Sequence, residues 1–206
     1  RTPNNNQNRL FSSLDTPTQS VSGDTALITY TNAGPGAAGV ERFNAQFRVK
    51  ITQTGAAAAR VDTKLTFTNA STATRTFNVF NLVDLDVAGV TDSIAMEPGS
   101  SNQIAKYTDS TGAVGYHAGY ASTAFNIGPA SAVQSQIGSG SANLSSTTLA
   151  GTSTDKGSAF QWTFTLAAGQ SLDIYSSFAI NTLPVPTPGS LALLGMGGLV
   201  AARRRR

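Results

Sequence analysis

From residue 43 to residue 51 the chain alternates without a break: Phe43, Ala45, Phe47, Val49 and Ile51 are apolar, and Asn44, Gln46, Arg48 and Lys50 lie between them. A helix would scatter these apolar residues around its axis, whereas an extended strand puts them all on one side. The same period of two recurs at Val61, Thr63, Leu65, Phe67; at Phe77, Val79, Asn81, Val83, Leu85; at Phe160, Trp162, Phe164, Leu166; and at Leu172, Ile174, Ser176, Phe178, Ile180. A less regular copy runs through Ala26, Ile28 and Tyr30. Turn-forming stretches at 32–39, 55–60, 69–74 and 167–170 separate the copies. Strands with one wet face belong to antiparallel sheets, so the pattern predicts an all-β chain, an antiparallel β-sandwich of jelly-roll-like type.

The middle of the chain is less regular. Residues 102–107 and 113–120 can pair across a turn at 109–112, and 129–137 reads as one short helix opened by Pro129 and closed by Gly138. Residues 138–158 are rich in Ser, Gly and Thr and read as a long surface loop. The organisation expected is a flexible N-terminal segment over 1–19, a sandwich body over 20–182 and a distinct C-terminal segment over 183–206.

Composition narrows the chemistry. The chain has 206 residues, 12% of them charged, with 48 Ser and Thr, no Cys and a single His. The absence of Cys removes disulfide scaffolds and Cys-ligated zinc or iron-sulfur sites. A Ser-His-Asp triad would have to use His117, which stands in AVGYHAGY on an expected strand with no nucleophile elbow nearby, so it reads as a hydrogen-bonded structural residue. Glu41 and Glu97 sit in no recognisable two-carboxylate motif. The body is therefore read as non-enzymatic. The stretch 34–39 spells G-x-G-x-x-G, but a strand follows where a dinucleotide site needs a helix, so it reads as a hairpin connection. Asn69-Ala70-Ser71 and Asn143-Leu144-Ser145 match the N-glycosylation pattern and read only as wet loops.

The net charge of +3 and pI near 9.5 come from one place. Arg203, Arg204, Arg205 and Arg206 close the chain, and without them ten basic residues face eleven acidic ones. A body so balanced is not a nucleic-acid binder, because phosphate recognition needs clustered cations. The densest acidic feature, Asp84, Asp86 and Asp92, lies where a strand enters a loop; it suits calcium, although without EF-hand spacing, or else it is a solvated strand end that protects a sheet edge. No other cofactor is expected. Among the aromatics, Trp162 falls on the buried register, whereas Tyr175 has the opposite parity to Ile174 and is the side chain expected to face a ligand such as polysaccharide.

The C-terminal segment is unlike the rest. Pro184, Pro186 and Pro188 punctuate a linker, 191–202 carries no charge, and the four Arg follow. Leu191, Leu193, Leu194, Leu199 and Val200 form the apolar part of a C-terminal hydrophobic helix. Twelve helical residues rise about 18 Å against a hydrocarbon core of about 30 Å, so the span borrows from Gly189, Ser190 and the Arg stems. Positive charge stays on the cytoplasmic side, which leaves the body outside and requires an export signal, removed or upstream of Arg1.

The order Val185-Pro186-Thr187-Pro188, then an apolar run containing Leu191-Ala192-Leu193-Leu194-Gly195, then Arg203 to Arg206, resembles a PEP-CTERM protein-sorting signal. The resemblance covers about the last 22 residues, and it implies recognition of the Pro-x-Pro motif by an exosortase-type membrane protease. It further implies an inner-membrane-anchored precursor, then a place at the cell surface or in the exopolysaccharide matrix of a diderm bacterium. Thr187 stands where that family has Glu. If the protease reads the charge, processing is slowed; if it reads the stiff polyproline-like backbone, Thr serves. Residues 43–180, with LTFTNAST, FNVFNLVDLDVAG and QWTFTLAAGQSLDIYSSFAI, are also similar to β-sandwich bodies carried by such proteins. Three roles follow in order: a surface or matrix component, a carbohydrate-binding module, and a hydrolase using paired carboxylates.

Overall fold

A computed structural model describes residues 11, 16–34, 42–87, 92–101, 103–138 and 143–184. The strands are β1 (Thr18–Ser22), β2 (Thr25–Ala33), β3 (Phe43–Gly55), β4 (Ala58–Asn69), β5 (Arg75–Asp84), β6 (Asp92–Met96), β7 (Ile104–Asp109), β8 (Val114–Tyr120), β9 (Ala124–Pro129), β10 (Thr147–Thr148), β11 (Lys156–Leu166) and β12 (Ser171–Ile180), with one helix, α1 (Ala130–Gly138), after β9. They form an eight-stranded sheet in the order β1-β2-β3-β4-β12-β8-β7-β6 and a four-stranded sheet in the order β10-β9-β11-β5. All pairings are antiparallel except the two-residue contact of β9 with β10. The architecture is β-sandwich-like. The helix starts at Ala130, because Pro129 ends β9. Thr18 and Gln19 belong to β1, and Phe11 packs edge-on to Phe47 at 4.8 Å between ring centroids.

The period-two faces meet in the core. Phe67 on β4 lies 4.8 Å from Phe77 on β5 and 5.5 Å from Phe164 on β11, and Phe43 stacks on its other side at 4.8 Å. Burying each such ring stabilises the fold by roughly 1.5–3 kcal/mol, and edge-to-face pairs add about 1 kcal/mol. Trp162 is buried as expected and donates its indole N–H to the Tyr120 carbonyl at 2.8 Å. The match between sheets depends on β8: a Cβ at Gly119 would lie 2.4 Å from Cγ of Phe160, and one at Gly115 would lie 2.5 Å from the Leu85 side chain. Only glycine lets β8 come this close.

Four strands cannot cover eight. Ile51, Val61 and Phe178 form one row across β3, β4 and β12, and Ile51 and Phe178 remain 57% and 37% exposed although their parity points inward. The expectation that Ile51 and Phe178 are buried is corrected by this overhang of the larger sheet. Leu172 is exposed as well, although its cross-strand neighbour Phe67 is buried.

One further expectation changes and another is refined. Asn69 is fully buried, not on a wet loop: its Nδ2 donates to the carbonyls of Ala73 and Leu166 at 2.8 and 2.9 Å, and its Oδ1 accepts from Ser71 N–H and Oγ–H at 3.0 and 2.6 Å. It ties together two of the connections that cross between sheets, from β4 to β5 and from β11 to β12. The 138–158 stretch lies at the surface over most of 143–155, as expected, but Leu144 pins it and its last three residues open β11. Leu144 is buried with Val133 of α1 against Ala159, its N–H donates to Gln161 Oε1 at 2.8 Å, and the Ser145 N–H donates to Asn126 Oδ1 at 3.0 Å. The motif at 34–39 lies outside the described residues beyond Gly34; β2 and β3 on either side of it are antiparallel neighbours.

Candidate functional site

The outer face of the larger sheet carries the side chains that β3, β4, β12 and β8 turn away from the core. The register aligns Arg48 with Lys64, Lys64 with Tyr175, and Tyr175 with Tyr120, a single row across four adjacent strands. Three strand spacings make this row about 14 Å long. The neighbouring row contributes Lys50 and Asp62. Together Arg48, Lys50, Asp62, Lys64, Tyr120 and Tyr175 line an open groove of about 400 Å³. Tyr175, singled out by parity, is half-buried in its middle. Tyr120, its cross-strand neighbour, carries no such signal in the sequence, because β8 is buried on both faces.

The polar groups are held in place. Lys64 bridges Asp173 at 2.9 Å, which raises the Lys64 pKa, and its Nζ sits 5.9 Å from the Tyr175 ring centroid. Arg60 holds Asp62 at 2.8 Å, and Lys50 lies 3.6 Å from Asp24. Arg48 has no ion pair among the described residues. Tyr120 shares a 3.0 Å hydrogen bond with Ser177, and burial raises its phenol pKa. Two phenol rings with flanking cations and fixed carboxylates offer apolar faces beside hydrogen-bonding rims.

The acidic cluster is elsewhere. Asp84 and Asp86 come together as the sequence suggests, and Asp155, from the loop before β11, joins them, with the ligand atoms of all three within 4.8 Å of one another. Asp92 opens β6 beside them and is buried. Asp155 sits in a Ser- and Thr-rich stretch more than sixty residues away, and no local spacing marks it.

His117 is fully buried on the inward face of β8, with Nδ1 2.6 Å from Ser158 Oγ. Ser158 Oγ is also 2.6 Å from the Tyr107 hydroxyl, which donates to the Val83 carbonyl at 3.0 Å. One consistent chain of donors runs from His117 Nδ1–H to Ser158, from Ser158 to Tyr107 and from Tyr107 to Val83, and it leaves Nε2 without a partner among the described residues. A serine and a histidine in contact suggest a nucleophile, but both are sealed in the core.

Val185, Pro186, Thr187, Pro188, the apolar positions Leu191, Leu193, Leu194, Leu199 and Val200, and Arg203 to Arg206 lie outside the described residues. Among the described residues no helix is long and apolar enough to cross a membrane. No protein-family model and no curated protein matches the chain.

Burial pushes the His117 pKa down to about 3, against about 6.5 in an unfolded chain. Below pH 6.5 the unfolded chain takes up a proton that the folded chain refuses, so the stability present above that pH is lost as pH falls towards 3, by at most about 1.4 kcal/mol per unit. We expect urea unfolding between pH 6.5 and 4.5 to show a shallower loss of stability in His117→Gln than in the parent. Equal slopes would contradict the assignment of a buried, neutral imidazole.

Proposed function

We propose that this is an exported, non-enzymatic bacterial surface or extracellular-matrix protein whose sandwich body binds exopolysaccharide along the groove. The observation that carries the reading is the cross-strand row Arg48, Lys64, Tyr175 and Tyr120. Sugar rings present a face of C–H groups and a rim of hydroxyls; a tyrosine ring matches the face, and fixed Lys, Arg and Asp groups match the rim. Jelly-roll sandwiches include lectin domains. The hydrolase reading, which would use carboxylates such as Asp84 and Asp86, has less support at the groove, because those two do not line it and Asp62 and Asp173 are engaged by Arg60 and Lys64. Nucleic acid is disfavoured for the same reason, since most of the groove's cations already have an acidic partner.

Export and anchoring rest on the C-terminal segment: the Pro186-Thr187-Pro188 motif is the recognition site for an exosortase-type protease, and 191–202 with the four Arg holds the precursor in the inner membrane.

Isothermal titration with purified exopolysaccharide should show binding that Tyr175→Ala weakens about tenfold, the equivalent of about 1.4 kcal/mol, with circular dichroism unchanged. Undiminished affinity in that variant, or no binding by the parent, would remove the groove from the account. For the tail, deletion of Leu191 to Arg206 is expected to release the body into the medium; continued retention in the membrane fraction would show that another segment anchors it.

A further inference from the structure

The acidic cluster is built by the fold. Asp84 ends β5 opposite Gly157 of β11, and Asp86 and Asp155 lie just beyond the paired ends of the two strands. Like charges held this close repel. The ligand atoms of Asp84, Asp86 and Asp155 lie within 4.8 Å of one another, and none of the three has an ion pair among the described residues. Lys156, the cation next in sequence, donates to the Ser153 carbonyl.

A second observation comes from the larger sheet. The Asp92 N–H donates to the Thr154 carbonyl at 3.1 Å, which brings the start of β6 against the loop that carries Asp155. Asp92 shares the inward face of β6 with Ile94 and Met96, and only 5% of the residue is exposed. Neither carboxylate oxygen has a hydrogen-bond partner among the described residues; the Val87 N–H approaches it electrostatically but short of hydrogen-bond geometry. Burial, and then the charges of Asp86, Asp109 and Asp155, raise the pKa of Asp92, whose cross-strand partner is Asp109, and Asp84 is raised likewise by burial and then by Asp155, Asp86 and Asp92. A buried carboxylate with no donor and no cation is costly.

We propose that Asp84, Asp86 and Asp155 bind a calcium ion, with Asp92 as the buried negative charge behind it, and that the ion pins the loop before β11 to the end of β5. Calcium fits the donors: oxygen atoms only, from separate elements, in a site open to water that can complete six to eight ligands. Zinc prefers nitrogen or sulfur, and magnesium demands a tighter octahedron. The site goes beyond the polysaccharide reading and does not depend on it, since it shares no residue with the groove.

The test is thermal unfolding of the full chain after EDTA treatment and dialysis, with calcium or magnesium chloride titrated in, and calorimetry to count ions. Calcium is expected to raise the Tm saturably by roughly 5–10 °C at a hundredfold excess over Kd, with one ion bound and a smaller effect from magnesium. Asp155→Asn should lose the calcium shift yet melt no lower than the parent in EDTA, because it relieves repulsion. The proposal is overturned if about 10 mM calcium leaves the Tm unchanged, if magnesium acts equally, or if the shift survives in Asp155→Asn.

Discussion

Everything in this fold depends on how closely two unequal sheets can approach. Period-two apolar faces supply the drive to stack, and the Phe67, Phe77 and Phe164 rings fill the space between them. The approach is tightest where Gly115 and Gly119 flank His117 on β8, because Phe160 and Leu85 occupy the volume that side chains there would need. That closeness buries His117, Ser158 and Tyr107 together and forces them to satisfy one another. A polar chain in the core is acceptable when nearly every member is bonded, and it fixes one alignment of the sheets where apolar packing alone tolerates several.

The inequality of the sheets leaves their outer faces differently covered. Helix α1 covers part of the outer face of the smaller sheet through Val133, while the larger sheet keeps an outer face that carries the tyrosine groove. The groove rests on the central strands β4 and β12, which pair over ten residues, so a ligand would meet side chains already held by Asp173, Arg60 and Ser177. Preorganisation of this kind reduces the entropy lost on binding. At the other end of the body, the carboxylates of β5, β6 and the loop before β11 bring like charges from both sheets to one place.

Much of the fold was legible because alternation is a local signal. β3, β4, β5, β11 and β12 were each read from five or so residues, and the β7–β8 hairpin and the helix followed from turn and capping residues. β1, β6, β9 and β10 escaped because they are short or hydroxyl-rich, and their pairing is decided by tertiary neighbours. Parity picked out Tyr175 but could not predict that Ile51 and Phe178 stay exposed, since exposure there depends on where the smaller sheet ends. Tyr120 and Asp155 were hidden for a related reason: each joins its site through strand register, which no stretch of sequence displays by itself. Asn69 misled in the opposite direction, its sequon context suggesting water where the fold places a four-bonded amide.

The central claim is that the outer face of the larger sheet is where the body meets its ligand. Amide chemical shifts in a nitrogen-15 correlation spectrum, followed as oligosaccharides cut from the exopolysaccharide are added, report on it most directly. The account predicts perturbations concentrated on β3, β4, β12 and β8 around Arg48, Lys64, Tyr175 and Tyr120. Perturbations centred on α1 and the smaller sheet, or none at saturating sugar, would contradict it.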